Sequence, residues 1–141
     1  MTFIDSNVII PLFKREDKYK ELAEAFFENL SQQCLVSGIC LLELRFILRK
    51  YGMRDEDIEK AMNALFSFKK LKFLPITPEN IEDSFKYIKE YGLGFFDSVI
   101  LATMVNMKDF TIISEDTDFD KVGFSKRRSL HEAISGDYLE K

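Results

Sequence analysis

Three carboxylates stand where the surrounding sequence is apolar, and a fourth follows the last β-rich run; they are the residues best suited to chemistry. Asp5 ends the β-rich run TFID, and Ser6 and Asn7 complete a short polar island between apolar flanks. Glu43 lies in ICLLELRFIL, where Ile39, Cys40, Phe46 and Ile47, three and four residues away, are all apolar. Helical spacing therefore projects its carboxylate from a buried stripe. Asp97 repeats the anomaly in GLGFFDSVILATM, sharing a face with Ile100, Leu101 and Met104. Asp116 opens an acidic turn in which Asp118 and Asp120 follow at alternate positions.

Each acid also has an ordinary reading. Asp5 could cap a helix, Glu43 could sit at the edge of its stripe, and Asp97 could be favoured by a helix amino terminus. Asp118 and Asp120 could belong to a solvated turn, with at least two of the three turn acids facing solvent. The turn is not a calcium loop, because Lys121 stands where that loop needs glycine and Arg127 where it needs glutamate. Gathered together, the acids would need neutralising. Two carboxylates ~4 Å apart repel by ~4 kcal/mol at the effective dielectric of a protein site, and several such pairs would consume a stability of ~5–15 kcal/mol. Arg45 and Arg49 point away from the Glu43 face by helical phase, which leaves divalent cations or a partner's basic side chain.

The remaining chemistry is restricted. His131 is the only histidine, so a mechanism needing two imidazoles is excluded. Cys34 and Cys40 lack the CxxC pairs of a zinc site and read as small core hydrophobes. A net charge of −4 disfavours a nucleic-acid partner only if the charges are spread evenly. With the acids clustered, Lys14–Arg15, Arg49–Lys50, Lys69–Lys70 and Lys126–Arg128 become available to a phosphate backbone, although any one stretch reads equally as a solvated face.

The elements that would position these residues alternate along the chain. TFID, CLVS, KFLPI and FTIIS are short β-rich runs separated by segments of helical period, the order of a parallel α/β sheet. Tyr19, Leu22, Ala23, Phe26, Phe27 and Leu30 make one apolar stripe, and Ile58, Ala61, Met62 and Leu65 make another. Thr77-Pro78-Glu79 has the order of a helix start, and Ser129 with Glu132 can form a capping box. Residues 1–141 read as a single domain, with a hydrophilic tail over about 136–141. No apolar run is long enough for a bilayer, and the start lacks a leader, so a soluble cytoplasmic protein without membrane contact is expected.

These motifs together resemble the PIN-domain family, particularly its VapC-like toxin ribonucleases. FIDSNVII is similar to the family's opening acid motif, LLEL to its glutamate helix, GLGFFDSVILAT to its third-acid motif and ISEDTDFDKV to its closing motif. Ser6 and Ser114 stand where threonine is common in the family, and Asp118 duplicates the acid at Asp116. The resemblance runs in order along nearly the whole chain.

It implies a three-layer α/β/α fold around a central parallel sheet of four or five strands. It further implies a Mg²⁺- or Mn²⁺-dependent endoribonuclease, with metal held by Asp5, Glu43, Asp97 and Asp116, and with Asp5 and Asp97 touching it directly. Asn7 and Ser114 would orient ligands or phosphate, RNA would be cut to 5′-phosphate products, and an antitoxin and a homodimer are expected partners. A non-catalytic PIN-like adaptor for RNA or protein is the alternative, marked by lost acids, whereas all four are present. A phosphatase using Asp5 as nucleophile would want a second aspartate where Asn7 stands. The phenylalanines Phe26, Phe27, Phe66, Phe68, Phe95 and Phe96 suit an interface, but core packing is the expected role for most.

Overall fold

Strand β1 (Thr2–Ile4) lies in the middle of the sheet, because its three residues are all buried and both of its edges are paired. The computed structural model describes residues 1–136, so all of the expected tail except Gly136 lies outside the described residues. After β1 come a short helix α1 (Ser6–Ile9), a 3-10 turn (Ile10–Phe13) and α2 (Lys20–Glu28). Strand β2 (Cys34–Ser37), α3 (Gly38–Lys50), α4 (Asp55–Phe66) and β3 (Leu71–Leu74) follow. Then come α5 (Pro78–Tyr91), α6 (Phe95–Met107), β4 (Thr111–Ile113), a 3-10 turn (Thr117–Lys121), β5 (Lys126–Arg128) and α7 (Leu130–Ser135).

The sheet has the order β3-β2-β1-β4-β5, and every pairing is parallel. The four apolar runs read from sequence became β1 to β4. Because β1 and β2 are buried at every residue, both faces of their pleat are covered. The strand order reverses at β1, with β2 on one side and β4 on the other. Open parallel sheets bind ligands outside the carboxyl ends of the strands at such a switch point.

The fifth strand is Lys-Arg-Arg, read from sequence only as a basic stretch. No apolar alternation announces it. It is an edge strand, where charged side chains discourage pairing with another chain.

Helix packing follows the stripes, with one difference that matters. Ala23, Phe26, Phe27, Ile58, Ala61 and Leu65 are buried as their spacing predicts, and both cysteines are buried. In α3 the buried ridge is Ile39, Cys40, Leu44 and Leu48, whereas Phe46 is 67% exposed. Glu43 is therefore half-buried at the border of the stripe rather than enclosed by it. Phe66 and Phe95 are also exposed, so packing accounts for four of the six phenylalanines named above: Phe26, Phe27, Phe68 and Phe96. Thr77 caps α5 through a reciprocal pair with Asn80, and Ser129 and Glu132 form the expected capping box.

Candidate metal centre

Asp5 follows β1 directly, and Ser114 follows β4 directly, so the two neighbouring central strands deliver them side by side. Asp5 caps α1 by accepting from the Ser6 backbone N–H at 2.7 Å. The cap reading was thus correct, and it does not compete with a site. The other Asp5 oxygen accepts from the Ser114 hydroxyl at 2.6 Å.

Ser114 is a fully used junction. Its hydroxyl donates to Asp5 and accepts from the Asn7 amide at 3.2 Å and the Asp116 backbone N–H at 3.0 Å. One donor and two acceptors exhaust a hydroxyl. Asn7 also accepts from the Glu115 backbone N–H at 3.2 Å, clamping the chain after β4 onto α1.

Three contacts pin this wall from outside. The Ser114 backbone N–H donates to the Arg128 carbonyl at 3.0 Å, and the Glu115 carboxylate accepts from the Leu130 N–H at 2.6 Å. Arg127 donates to the Ser114 carbonyl at 3.0 Å while its fork grips Asp120 at 3.0 and 3.1 Å. Arg127 is thus committed to structure, which removes it from the charges that were to be available to phosphate.

Glu43 reaches the group from α3, accepting from the Ser6 hydroxyl, which also lies 3.3 Å from Asp5. Asp97 arrives in the first turn of α6, and Asp116 caps the 3-10 turn by accepting from the Asp118 N–H at 2.9 Å. Asp97, Asp116 and Asp118 each present a carboxylate oxygen within 4.8 Å of the others. At least two of the three turn acids were expected to face solvent. Only Asp120 is fully exposed, and Asp118 is half-buried at the cluster while pairing with Lys121 at 3.2 Å.

Electrostatics confirm that the acids feel one another. Burial pushes Asp5 up to about 6, and the charges of Glu43 and Asp116 add to the effect, while the Ser114 and Ser6 hydrogen bonds oppose it. Asp97 is pushed up to about 9, first by burial, then by a hydrogen bond with Asp116 and by the charges of Asp5, Asp116 and Glu43. Glu43 is raised by burial and by Asp116, against the Ser6 hydrogen bond. The Cys40 thiol beneath them is raised by its burial and then by Asp5, Glu43 and Asp97.

This donor set fits a hard divalent cation. Asp97, Asp116 and Asp118 offer carboxylate oxygens within 4.8 Å of one another, and hard cations take oxygen ligands. Burial raises these carboxyls first and their mutual repulsion adds to it, and a bound cation would favour the ionised forms against both.

A family model for the PIN domain matches residues 2–125. The chain belongs to the PIN-domain family. This PIN domain is 25% identical to Ribonuclease VapC6 of Methanocaldococcus jannaschii, over 86% of this chain and 92% of that protein. It resembles the crystal structure of Mycobacterium tuberculosis VapC20, described as a sarcin-ricin loop cleaving toxin, with a TM-score of 0.77 and 18% identity. That match covers 91% of this chain and 99% of the other. A toxin-antitoxin complex from Klebsiella pneumoniae matches with a TM-score of 0.69 and 23% identity, over 94% of this chain and 99% of that one. The fold of this PIN domain is that of these toxins.

The sequence pattern assigns Ser6 no role, yet its hydroxyl links Asp5 to Glu43. Its signal was the polar residue directly after a strand-ending acid. Replacing Ser114 by alanine is expected to destabilise this PIN domain by ~1–3 kcal/mol, since three partners in a part-buried site lose their bond. Cation affinity is expected to fall ~10–100-fold through the loosened Asp5. Denaturant melts and a Mn²⁺ titration read the two effects, and a variant as stable and as Mn²⁺-avid as the parent would contradict the role.

Proposed function

We propose that this PIN domain is a divalent-metal-dependent endoribonuclease and the toxin of a toxin-antitoxin pair. The observation that carries the reading is the convergence of four acids near the carboxyl ends of β1 and β4: the Ser6 hydroxyl joins Asp5 to Glu43, the Ser114 hydroxyl joins Asp5 to the Asp116 backbone, and Asp97 lies beside Asp116. Support also comes from the ribonuclease named among its relatives and the toxin-antitoxin complex among its structural neighbours.

Asp5, Glu43, Asp97 and Asp116 would hold Mg²⁺ or Mn²⁺, with Asp118 added to the set on the strength of its position. The chemistry supplied by the ion, when bound, is Lewis acidity: it acidifies water and offsets the charge that grows on a phosphodiester under attack. Ser114 and Ser6 hold the Asp5 carboxylate in one orientation, and Asn7 holds Ser114. In the reaction, one water adds across the P–O3′ bond. Its oxygen goes to the 5′-phosphate and a proton goes to the 3′-oxygen. An antitoxin would block the site, and a homodimer is the proposed assembly.

Partner-free protein is expected to cleave mixed cellular RNA with Mg²⁺ or Mn²⁺ and to fall silent in EDTA. Gel analysis with 5′-end chemistry of the products reads both points. Cleavage that persists in EDTA would defeat the metal reading, and RNA binding without cleavage under all ions would favour an adaptor.

A further inference from the structure

We propose that the groove running from the acid cluster along α3 holds the single-stranded RNA segment flanking the scissile phosphate, with Tyr51 stacking on a base and Arg15 and Arg54 contacting phosphates. The proposal rests on the ribonuclease reading and specifies how its substrate is gripped.

Glu43, Ile47 and Tyr51 are spaced four residues apart, so they share one ridge of α3, each step covering ~6 Å. Glu43 belongs to the acid cluster. Ile47 lines a cavity of about 250 Å³ together with Asn7, Pro11 and Lys14. Tyr51 lines the next cavity, of about 640 Å³, with Phe13, Arg15, Arg54 and Asp57. The Lys14 ammonium, on the wall of the first cavity, sits 5.3 Å from the centre of the Tyr51 ring on the wall of the second. Asn7 and Glu115 of the Ser114 wall line the first cavity, and the Lys14–Tyr51 contact leads from it to the second.

Tyr51 is fixed as well as open. The Gly52 N–H donates to the Arg49 carbonyl and the Met53 N–H to the Leu48 carbonyl, both at 3.0 Å, which closes α3 tightly. The closure needs a left-handed residue at 52, where glycine has φ +99°. Tyr51, just before it, is 51% exposed.

Acids also face this groove, but the accessible charge is positive. Asp17 is largely buried and accepts from the Tyr19 N–H at 2.9 Å, and Glu115 is engaged with Leu130. Asp57 opposes Arg54 only loosely, at 3.6 Å, and the Arg54 side chain is 78% exposed. Arg15 is exposed and forms no ion pair among the described residues. Exposed cations beside an open aromatic ring, in a chain of net charge −4, match a phosphate backbone with unpaired bases.

The test uses an Asp97→Asn background, so that labelled single-stranded oligoribonucleotide is bound and not cut. Fluorescence anisotropy then compares added Tyr51→Ala, Tyr51→Phe, Arg15→Ala, Arg54→Ala and the distant Lys69→Ala. Tyr51→Ala is expected to weaken binding ~10-fold with an unchanged melting temperature, and Tyr51→Phe to bind as the parent. Each arginine variant is expected to lower the salt slope by ~0.7, and Lys69→Ala to leave it unchanged. Parent-like affinity and salt slope in Tyr51→Ala, Arg15→Ala and Arg54→Ala overturn the proposal and leave the groove to a protein partner. Cleavage by the unmutated chain separates the two ideas. If it cleaves RNA but Tyr51→Ala cleaves with the same KM, the groove fails and the enzyme stands. If it never cleaves, yet binding depends on Tyr51, the enzyme fails and the groove stands.

Discussion

Asp97→Asn is expected to reduce cation-dependent RNA cleavage by ~10³-fold while leaving the metal-free protein at pH 7 about as stable as before. The two halves have one cause. With its carboxyl pushed up to about 9, Asp97 is protonated at pH 7 without metal, and asparagine replaces that neutral state at nearly constant volume. The cation needs the ionised form, which asparagine cannot supply. Loss of several kcal/mol of charge stabilisation corresponds to the stated fall, at a factor of ten per ~1.4 kcal/mol. Single-turnover cleavage and a melt in EDTA read both quantities. Cleavage within tenfold of the unmutated protein, at saturating Mn²⁺, would remove Asp97 from the metal set.

The second large effect is an inversion of pH dependence by the cation. Asp5 titrates near 6 and Asp97 near 9 in the folded chain, against an ordinary 3.8, and Glu43 is raised as well. Between about pH 4 and 9 the folded state binds more protons at these residues than the unfolded chain. Metal-free stability therefore falls as pH rises. The contribution is complete below about 4, gone near 6 for Asp5 and gone near 9 for Asp97. For fully buried Asp5, ionisation at high pH costs about 3 kcal/mol.

Cation binding requires the deprotonated acids, so its stabilisation grows over the same range. At a hundredfold excess over Kd it is worth ~2.7 kcal/mol, a rise of ~10 °C in Tm. Melts at pH 5 and pH 9, with EDTA and with Mg²⁺, are expected to show the largest increment at pH 9. Asp97→Asn should flatten the upper part of the EDTA curve, which isolates this group from surface titrations. A Tm in EDTA that climbs from pH 5 to 9, with the same Mg²⁺ increment at both, would contradict the cluster.

What could be seen in the sequence depended on whether a residue's local pattern clashed with its type. Asp5, Glu43 and Asp97 stood out because acids interrupted apolar runs, and the structure brings them together with Asp116. The strands β1 to β4 were visible because their residues are apolar and short runs alternate with helical ones. β5 was invisible for the opposite reason: an edge strand of charged residues has no pattern separating it from a loop. The place of Asp118 stayed open because nothing in an acidic turn tells which carboxylate the 3-10 geometry turns toward the cluster. Phe46 shows a limit of helical spacing, since neighbours at three residues can straddle the edge of a buried ridge.

The match to the family ends at residue 125, one residue short of β5, yet the anchors of the Ser114 wall come from Arg127, Arg128 and Leu130. A chain trimmed at that boundary would keep every acid and lose the buttress that holds one side of their pocket. The site thus leans on a brace outside the recognisable motifs, and the acids alone do not delimit it.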